Sequence, residues 1–168
     1  NTGTGGGTAV EVGLIDVTLS PTNDDPVVTG LPADLDVTED EVSDLDLSPI
    51  AITDVDAGAQ DITLTLTVDS GVLIAGDSGG VIVGDTDTAQ ITLTGSASEL
   101  NAYLNESGSV QYQSAENDDT SATLTVVIND GGNTGAGGGQ DILVGTTTLN
   151  IAAINDAPTM DGLDSVTV

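Results

Sequence analysis

Carboxylates are the only side chains in this sequence that carry charge at neutral pH. Of 168 residues, 28 are Asp or Glu, and none is Lys, Arg or His. They gather in short clusters with asparagine. The linker-like pair is Asn23-Asp24-Asp25-Pro26 and Asn155-Asp156-Ala157-Pro158. The others are Glu39-Asp40-Glu41, Asp54-Val55-Asp56-Ala57-Gly58, Glu116-Asn117-Asp118-Asp119 and Asn129-Asp130-Gly131. Each sits where a predicted strand begins or ends. Calcium takes roughly six to eight oxygen ligands, and Asp, Glu, Asn and backbone carbonyls all supply them. An Asp-x-Asp turn directs two carboxylates toward one ion. Cation binding is therefore the chemistry these residues point to. The competing reading is solvated surface, to which Asp44, Asp46, Asp77, Asp85 and Asp87 are assigned.

Charge also sets exclusions. The formal net charge is −28 and no side-chain salt bridge is available. Like charges repel in the compact state, so folding calls for bound cations, high ionic strength or both. At roughly half-molar salt the screening length falls to a few ångströms. Nucleic acid needs Lys and Arg to neutralise phosphate, which argues against it as a partner. Anionic membrane surfaces are disfavoured for the same reason, and no apolar run is long enough for a membrane-spanning helix. Catalysis is not expected. His, Cys and Lys are absent, so the common nucleophile–base pairs cannot form. Cysteine is absent, so there is no disulfide framework. High charge with few aromatics is also the signature of disorder, but 38% of the chain is hydrophobic and that content is patterned.

The elements that position the clusters read as strands. Asp61–Asp69 alternates strictly, with Ile62, Leu64, Leu66 and Val68 on one face and Thr63, Thr65 and Thr67 on the other. The same period predicts strands over Thr123–Ile128, Thr146–Ile154 and Leu14–Ser20. Shorter strands are predicted at Val72–Ala75, Val81–Val83, Ala89–Thr94, Ser109–Gln113 and Leu35–Thr38. Leu47–Thr53 is expected as the second half of a split first strand, with Pro49 holding it to a sheet edge. One helix is predicted, because Ser96-Ala97-Ser98-Glu99 has capping-box spacing and Leu100, Tyr103 and Leu104 follow as a stripe. Tyr112 is expected in the core. Gly76–Gly84 and Gly131–Gly139 are expected as loops, the second joining the last two strands. Short strands with Gly-rich turns imply an all-β fold, a two-sheet Greek-key β-sandwich with one short helix.

The chain also repeats itself. Residues 1–31 and 133–163 align without a gap at an offset of 132. The shared anchors include Asn1/Asn133, Gly5–Gly7 and Gly137–Gly139, Gly13/Gly145, Asn23-Asp24/Asn155-Asp156, Pro26/Pro158 and Gly30-Leu31/Gly162-Leu163. A fixed period of this length marks a tandem array. The expected layout has residues 1–25 as the last strand and linker of a preceding repeat. Residues 26–155 form one complete repeat, and residues 156–168 the linker and start of the next.

The Asp54–Gly58 turn, the Leu124–Gly132 strand ending in Asn-Asp-Gly-Gly, and a terminal strand followed by Asn-Asp-Ala-Pro occur together within one period. Together they resemble the bacterial cadherin-like repeats of giant secreted adhesins, the calcium-dependent, type I-secreted, RTX-adhesin-like surface proteins. The resemblance spans the whole period. It implies a cadherin/immunoglobulin-like sandwich, calcium (Ca2+) at the junctions between consecutive repeats, and an extracellular location at the bacterial surface. By matching motif, it assigns the N-terminal junction to Asn23, Asp24, Asp54, Asp56 and Asp130. It assigns the C-terminal junction to Asn155 and Asp156, with Glu39 or Glu41 and with Glu116 or its neighbours Asp118 and Asp119. The linker is shorter than the Asp-x-Asn-Asp-Asn of animal cadherins, and the Glu116 cluster lacks the arginine of their Asp-Arg-Glu motif.

The resemblance implies a structural extender that holds an adhesive region away from the cell, its partners being neighbouring repeats of the same chain or identical subunits. Two alternatives stand beside it. One is a fibre subunit that donates its residue 1–24 strand to a neighbour. The other is a calcium-dependent carbohydrate-binding module, although Tyr103 and Tyr112 are the only aromatics available for stacking on a sugar.

Overall fold

Alternation of branched apolar residues with threonine builds the sheets. The computed structural model describes residues 12–158. In chain order the elements are β1 (Val27–Thr29), β2 (Asp34–Thr38), β3 (Val42–Asp44), β4 (Ala51–Thr53), β5 (Ile62–Val68), β6 (Val72–Ala75), β7 (Ile82–Gly84), β8 (Gln90–Gly95), α1 (Ala97–Leu104), β9 (Val110–Gln113), β10 (Ala122–Asn129) and β11 (Ile142–Ala152). In β5 the apolar set is buried and the threonines are half-buried on the outer face. β10 does the same with Ala122, Leu124, Val126 and Ile128 inward.

These strands make an all-β sandwich. One sheet runs β2-β11-β10-β5-β8-β7, and the facing one runs β3-β9-β6. A small β1–β4 ribbon completes the set. Neighbours pair antiparallel except β2 and β11, which pair in parallel, so the first long strand lies beside the last. Between β8 and β10 the chain crosses through α1 to β9 in the facing sheet, then returns to pair with β5. Leu64, Leu66, Ile91, Leu93, Leu124 and Val126 from the large sheet and Leu73, Val110 and Tyr112 from the small one are fully buried.

The helix forms as its cap predicts. Ser96 accepts from the Glu99 N–H while Glu99 reaches back to the Ser96 N–H, and Leu100, Tyr103 and Leu104 are buried. Asn101 then fastens it. Its Oδ1 accepts from the Ile52 N–H and its Nδ2 donates to the Ile52 carbonyl, both at 2.8 Å. The side chain thereby acts as a substitute strand edge for β4. Asn101→Ala leaves both backbone groups of a buried residue without partners, at about 1–3 kcal/mol. Urea unfolding is expected to show that loss; an unchanged midpoint would contradict it.

Several expectations need correcting. Leu47–Thr53 is not one strand segment. Leu47–Ile50 closes a turn, with Ile50 N–H donating to the Leu47 carbonyl at 3.0 Å, and only Ala51–Thr53 is extended. The turn serves Gly30. There a Cβ would collide with the Pro49 carbonyl, and φ is +77°, so the backbone crossing admits only glycine. β1 and β3 were not predicted; each is too short to show a period.

Leu14–Ser20 forms no strand, and Leu14, Ile15, Val17 and Leu19 are exposed. This segment corresponds in sequence to β11, but no strand of the described residues pairs with it. The first copy of the glycine-rich segment, residues 1–7, and the start of the following repeat, residues 159–168, lie outside the described residues.

Candidate metal centre

The linker Pro21-Thr22-Asn23 docks onto the loop between β10 and β11. Ala136 N–H donates to the Pro21 carbonyl at 3.1 Å, Asn23 N–H donates to the Ala136 carbonyl at 3.4 Å, and Thr22 and Ala136 form a parallel bridge. The loop in turn grips the Asp54–Gly58 turn. Thr134 Oγ1 donates to the Asp56 carbonyl at 2.8 Å, and Asn133 Nδ2 donates to the Asp61 carbonyl at 2.9 Å.

Asn23 is the pivot. It is 9% exposed, and its Nδ2 donates to Asp130 Oδ2 at 2.7 Å and to the Asp24 carbonyl at 3.2 Å. Both neighbours are acceptors, which decides the amide orientation and leaves Oδ1 on the other side. Next to it, Asp24 N–H donates to Asp56 Oδ2 at 3.1 Å. Asp54 Oδ1 accepts from the Asp56 and Ala57 N–H groups at 3.0 and 2.9 Å, shaping the turn. Asp54 and Asp56 are half-buried while Val55 between them is exposed.

Three buried side-chain oxygens have no hydrogen-bond partner: Asn23 Oδ1, Asp54 Oδ2 and Asp56 Oδ1. All belong to this one cluster. Leaving a buried polar atom unpaired costs about 1–3 kcal/mol, and more when it is charged. The sequence holds no Lys, Arg or His side chain that could pair with them. Asp130 stands apart. Its Oδ2 is taken by Asn23, and its Oδ1 by the Gly132 and Gly139 N–H groups at 2.9 and 3.2 Å. Its position suits orienting Asn23. Among the described residues, no three of Asp, Glu, His or Cys form a metal-holding group by themselves. The unpartnered oxygens belong to two carboxylates and one carboxamide.

Hydrogen bonds lower the pKa of two of these acids. At Asp130, burial pushes the carboxyl up, but hydrogen bonds from Gly132, Asn23 and Gly139 outweigh it, so the pKa ends below its ordinary value. At Asp56 the Asp24 N–H contributes most to the lowering; burial opposes it, and Asp54 and Thr134 add to it.

The C-terminal cluster is built differently. Glu39 is buried, and its Oε2 accepts from the Ile154 N–H at 2.9 Å, closing the end of β11. Asp40 bridges to the Glu116 segment. Its N–H donates to Ser114 Oγ at 3.1 Å, and its Oδ1 accepts from the Asn117 N–H at 3.0 Å. The structure thus brings Glu39-Asp40-Glu41, Glu116-Asn117 and the Ile154-Asn155 linker to one pole. Glu41, Glu116, Asn155 and Asp156 are exposed there. Asp118 is engaged with Ser70 and Thr120 instead, which hold its carboxyl below the ordinary value, Thr120 most strongly.

Sequence reasoning missed the role of the glycine loop. A Cβ at Gly138 would overlap the Asn23 side chain, and one at Gly135 would lie 2.5 Å from the Asn23 nitrogen. Gly135 and Gly138 therefore make room for the linker, while Asn133 and Thr134 hold the loop to Asp61 and Asp56. The signal was present in the repeat itself. Asn-Thr-Gly-x-Gly-Gly-Gly recurs at 1–7 and 133–139, while the strand residues that follow differ.

No family model and no curated protein matches this chain. Among solved structures, the sixth cohesin of scaffoldin B from Acetivibrio cellulolyticus, crystallised with a mutant Cel5 dockerin, aligns over 71% of this chain and 94% of its own. The TM-score is 0.41 and the identity 11%. A likeness of that strength carries no functional argument.

Proposed function

We propose that this chain is a calcium-stiffened extender repeat of a bacterial cell-surface adhesin, with residues 26–155 as its complete unit. The observation that carries the reading is the set of unpartnered oxygens of Asn23, Asp54 and Asp56 where the linker meets the sandwich. Calcium at that place would join linker to domain through those three side chains, with Asp130 orienting Asn23. It would also relieve repulsion in a chain of net charge −28. The carboxylates and carboxamide suit a hard cation that takes many oxygens at flexible geometry. Glu39, Asn155 and Asp156 are proposed as this repeat's contribution to the following junction.

The test is a titration of the chain with calcium and, separately, magnesium, followed by small-angle scattering and thermal unfolding. Millimolar calcium is expected to raise Tm and narrow the scattering envelope, with magnesium doing much less because it demands near-octahedral geometry. Identical responses to the two ions, or none, would reduce the cluster to solvated surface.

The exposed apolar side chains of Leu14, Ile15, Val17 and Leu19 favour a second reading. An extended apolar segment with unpaired backbone groups invites a partner. In an array it belongs to the preceding repeat; in a fibre it would be donated to a neighbouring subunit. The mass of the native polypeptide distinguishes the two, being many repeats long in the first case and a single repeat in the second.

A further inference from the structure

The cradle around Asn23 and the linker at the other end of the chain are complementary. Asn155-Asp156-Ala157-Pro158 matches Asn23-Asp24-Asp25-Pro26 in three of its residues. The local geometry matches as well. Asn155 Nδ2 donates to the Asp156 carbonyl at 3.1 Å, as Asn23 Nδ2 donates to the Asp24 carbonyl at 3.2 Å. Asn23 holds that conformation inside a cradle, whereas Asn155 holds it while exposed. The segment is therefore already shaped for docking, which lowers the ordering cost of binding.

We infer that the Asn133–Gly139 loop, with Asp130 and the Asp54–Gly58 turn, is a recognition surface for the Asn155–Pro158 segment of a second copy of this chain. The inference rests on the tandem-array reading for its biological setting, but not on calcium for its geometry. Backbone contacts supply the affinity at Asn155 and at Ala153 just before the segment, the positions that correspond to Asn23 and Pro21, which the Ala136 carbonyl and N–H hold. The glycine positions supply the selectivity, since only a bare backbone at 138 admits the asparagine side chain. Docking of this kind is head-to-tail and does not close on itself, so it produces linear chains of copies. In the full chain the covalently attached Asn23 segment occupies the surface at high effective concentration and blocks it.

The test uses a chain beginning at Pro26. The apolar core and the residues packed on it run from Val28 to Ile151, so this chain keeps the whole core. Circular dichroism and a cooperative melt check its fold. Sedimentation velocity at roughly half-molar salt, where repulsion is short-ranged, is run with calcium and with chelator.

The expected result is about a twofold or greater rise in weight-average mass with concentration, as open head-to-tail association gives. The 168-residue chain should remain a monomer. Asn155→Ala with Asp156→Ala, and separately Gly138→Ala, should each return the shortened chain to monomer while it stays folded. A folded chain that is monomeric at millimolar protein, or association undiminished by the Asn155/Asp156 change, would overturn the inference. Association that persists in chelator supports it and counts against the calcium reading alone. Calcium-dependent stability without association does the reverse.

Discussion

Replacing both Asp54 and Asp56 with alanine is expected to abolish most of the calcium-dependent rise in Tm. For a site with a dissociation constant near 0.1 mM, about 10 mM calcium adds about 2.7 kcal/mol. In a domain of this size that is about 5–10 °C. The quantity to compare is the increment between chelator and calcium, not Tm itself. Asp54 Oδ1 also holds the Asp56 and Ala57 N–H groups, so its loss loosens the turn whether or not an ion is bound. Removing two negative charges works the other way by easing repulsion. Only the increment isolates the ion.

A charge-matched control comes from Asp34→Ala with Asp44→Ala, both exposed aspartates outside either junction. Asp85 and Asp87 are unsuitable, despite also being exposed, because their φ angles of 58° and 59° would strain alanine. Equal loss of increment in both double variants would sink the site. Loss confined to Asp54/Asp56 would leave no general screening explanation standing.

Gly138→Ala is expected to eject the linker while Gly137→Ala leaves it docked. Both residues have positive φ, +74° at 138 and +100° at 137, and the second lies further from the left-handed well, so Gly137→Ala is the more strained of the two in φ. They differ in what a Cβ meets. At 137 it meets open space, and at 138 it meets the Asn23 side chain. Displacing Asn23 breaks its hydrogen bond to Asp130 and leaves a buried carboxylate oxygen without that partner. A hydrogen bond to a charged group contributes about 1.5–3 kcal/mol. Amide exchange at Ala136, whose N–H is held by Pro21, should accelerate by about tenfold to a hundredfold in Gly138→Ala. Proteolysis within residues 12–25 should rise in parallel. Core amides such as Leu66 should keep their protection in both variants. Equal effects at 137 and 138 would mean that backbone strain, not the fit around Asn23, governs the linker.

The regular elements were legible because their signals are local. Strict alternation in Ile62–Val68 and Ala122–Asn129, and the Ser96/Glu99 cap with its Leu100-Tyr103-Leu104 stripe, need nothing beyond nearest neighbours on the chain. Tyr112 was placed in the core by the same logic. Where the signal was not local, reading failed. Leu14–Ser20 has a strand's pattern, yet a strand exists only if a partner offers its N–H and carbonyl groups. Leu47–Thr53 has apolar content, but its first half turns to let Gly30 cross beneath Pro49.

The acidic clusters show the same division. Sequence by itself determined that charge must be neutralised from outside, that Asn-Asp-x-Pro linkers recur every 132 residues, and that Asp54 and Asp56 share a turn. Those properties follow from composition and spacing alone. Only the tertiary structure decided which carboxylates are alike in sequence but different in role. Asp130 has its oxygens filled by Asn23, Gly132 and Gly139, and Glu39 is committed to the Ile154 N–H. Asp54 and Asp56 each keep one buried oxygen unpartnered. Hydrogen-bond saturation depends on neighbours brought from as far as 115 residues away, as Glu39 and Ile154 are. That is a property of the folded chain and of no segment within it.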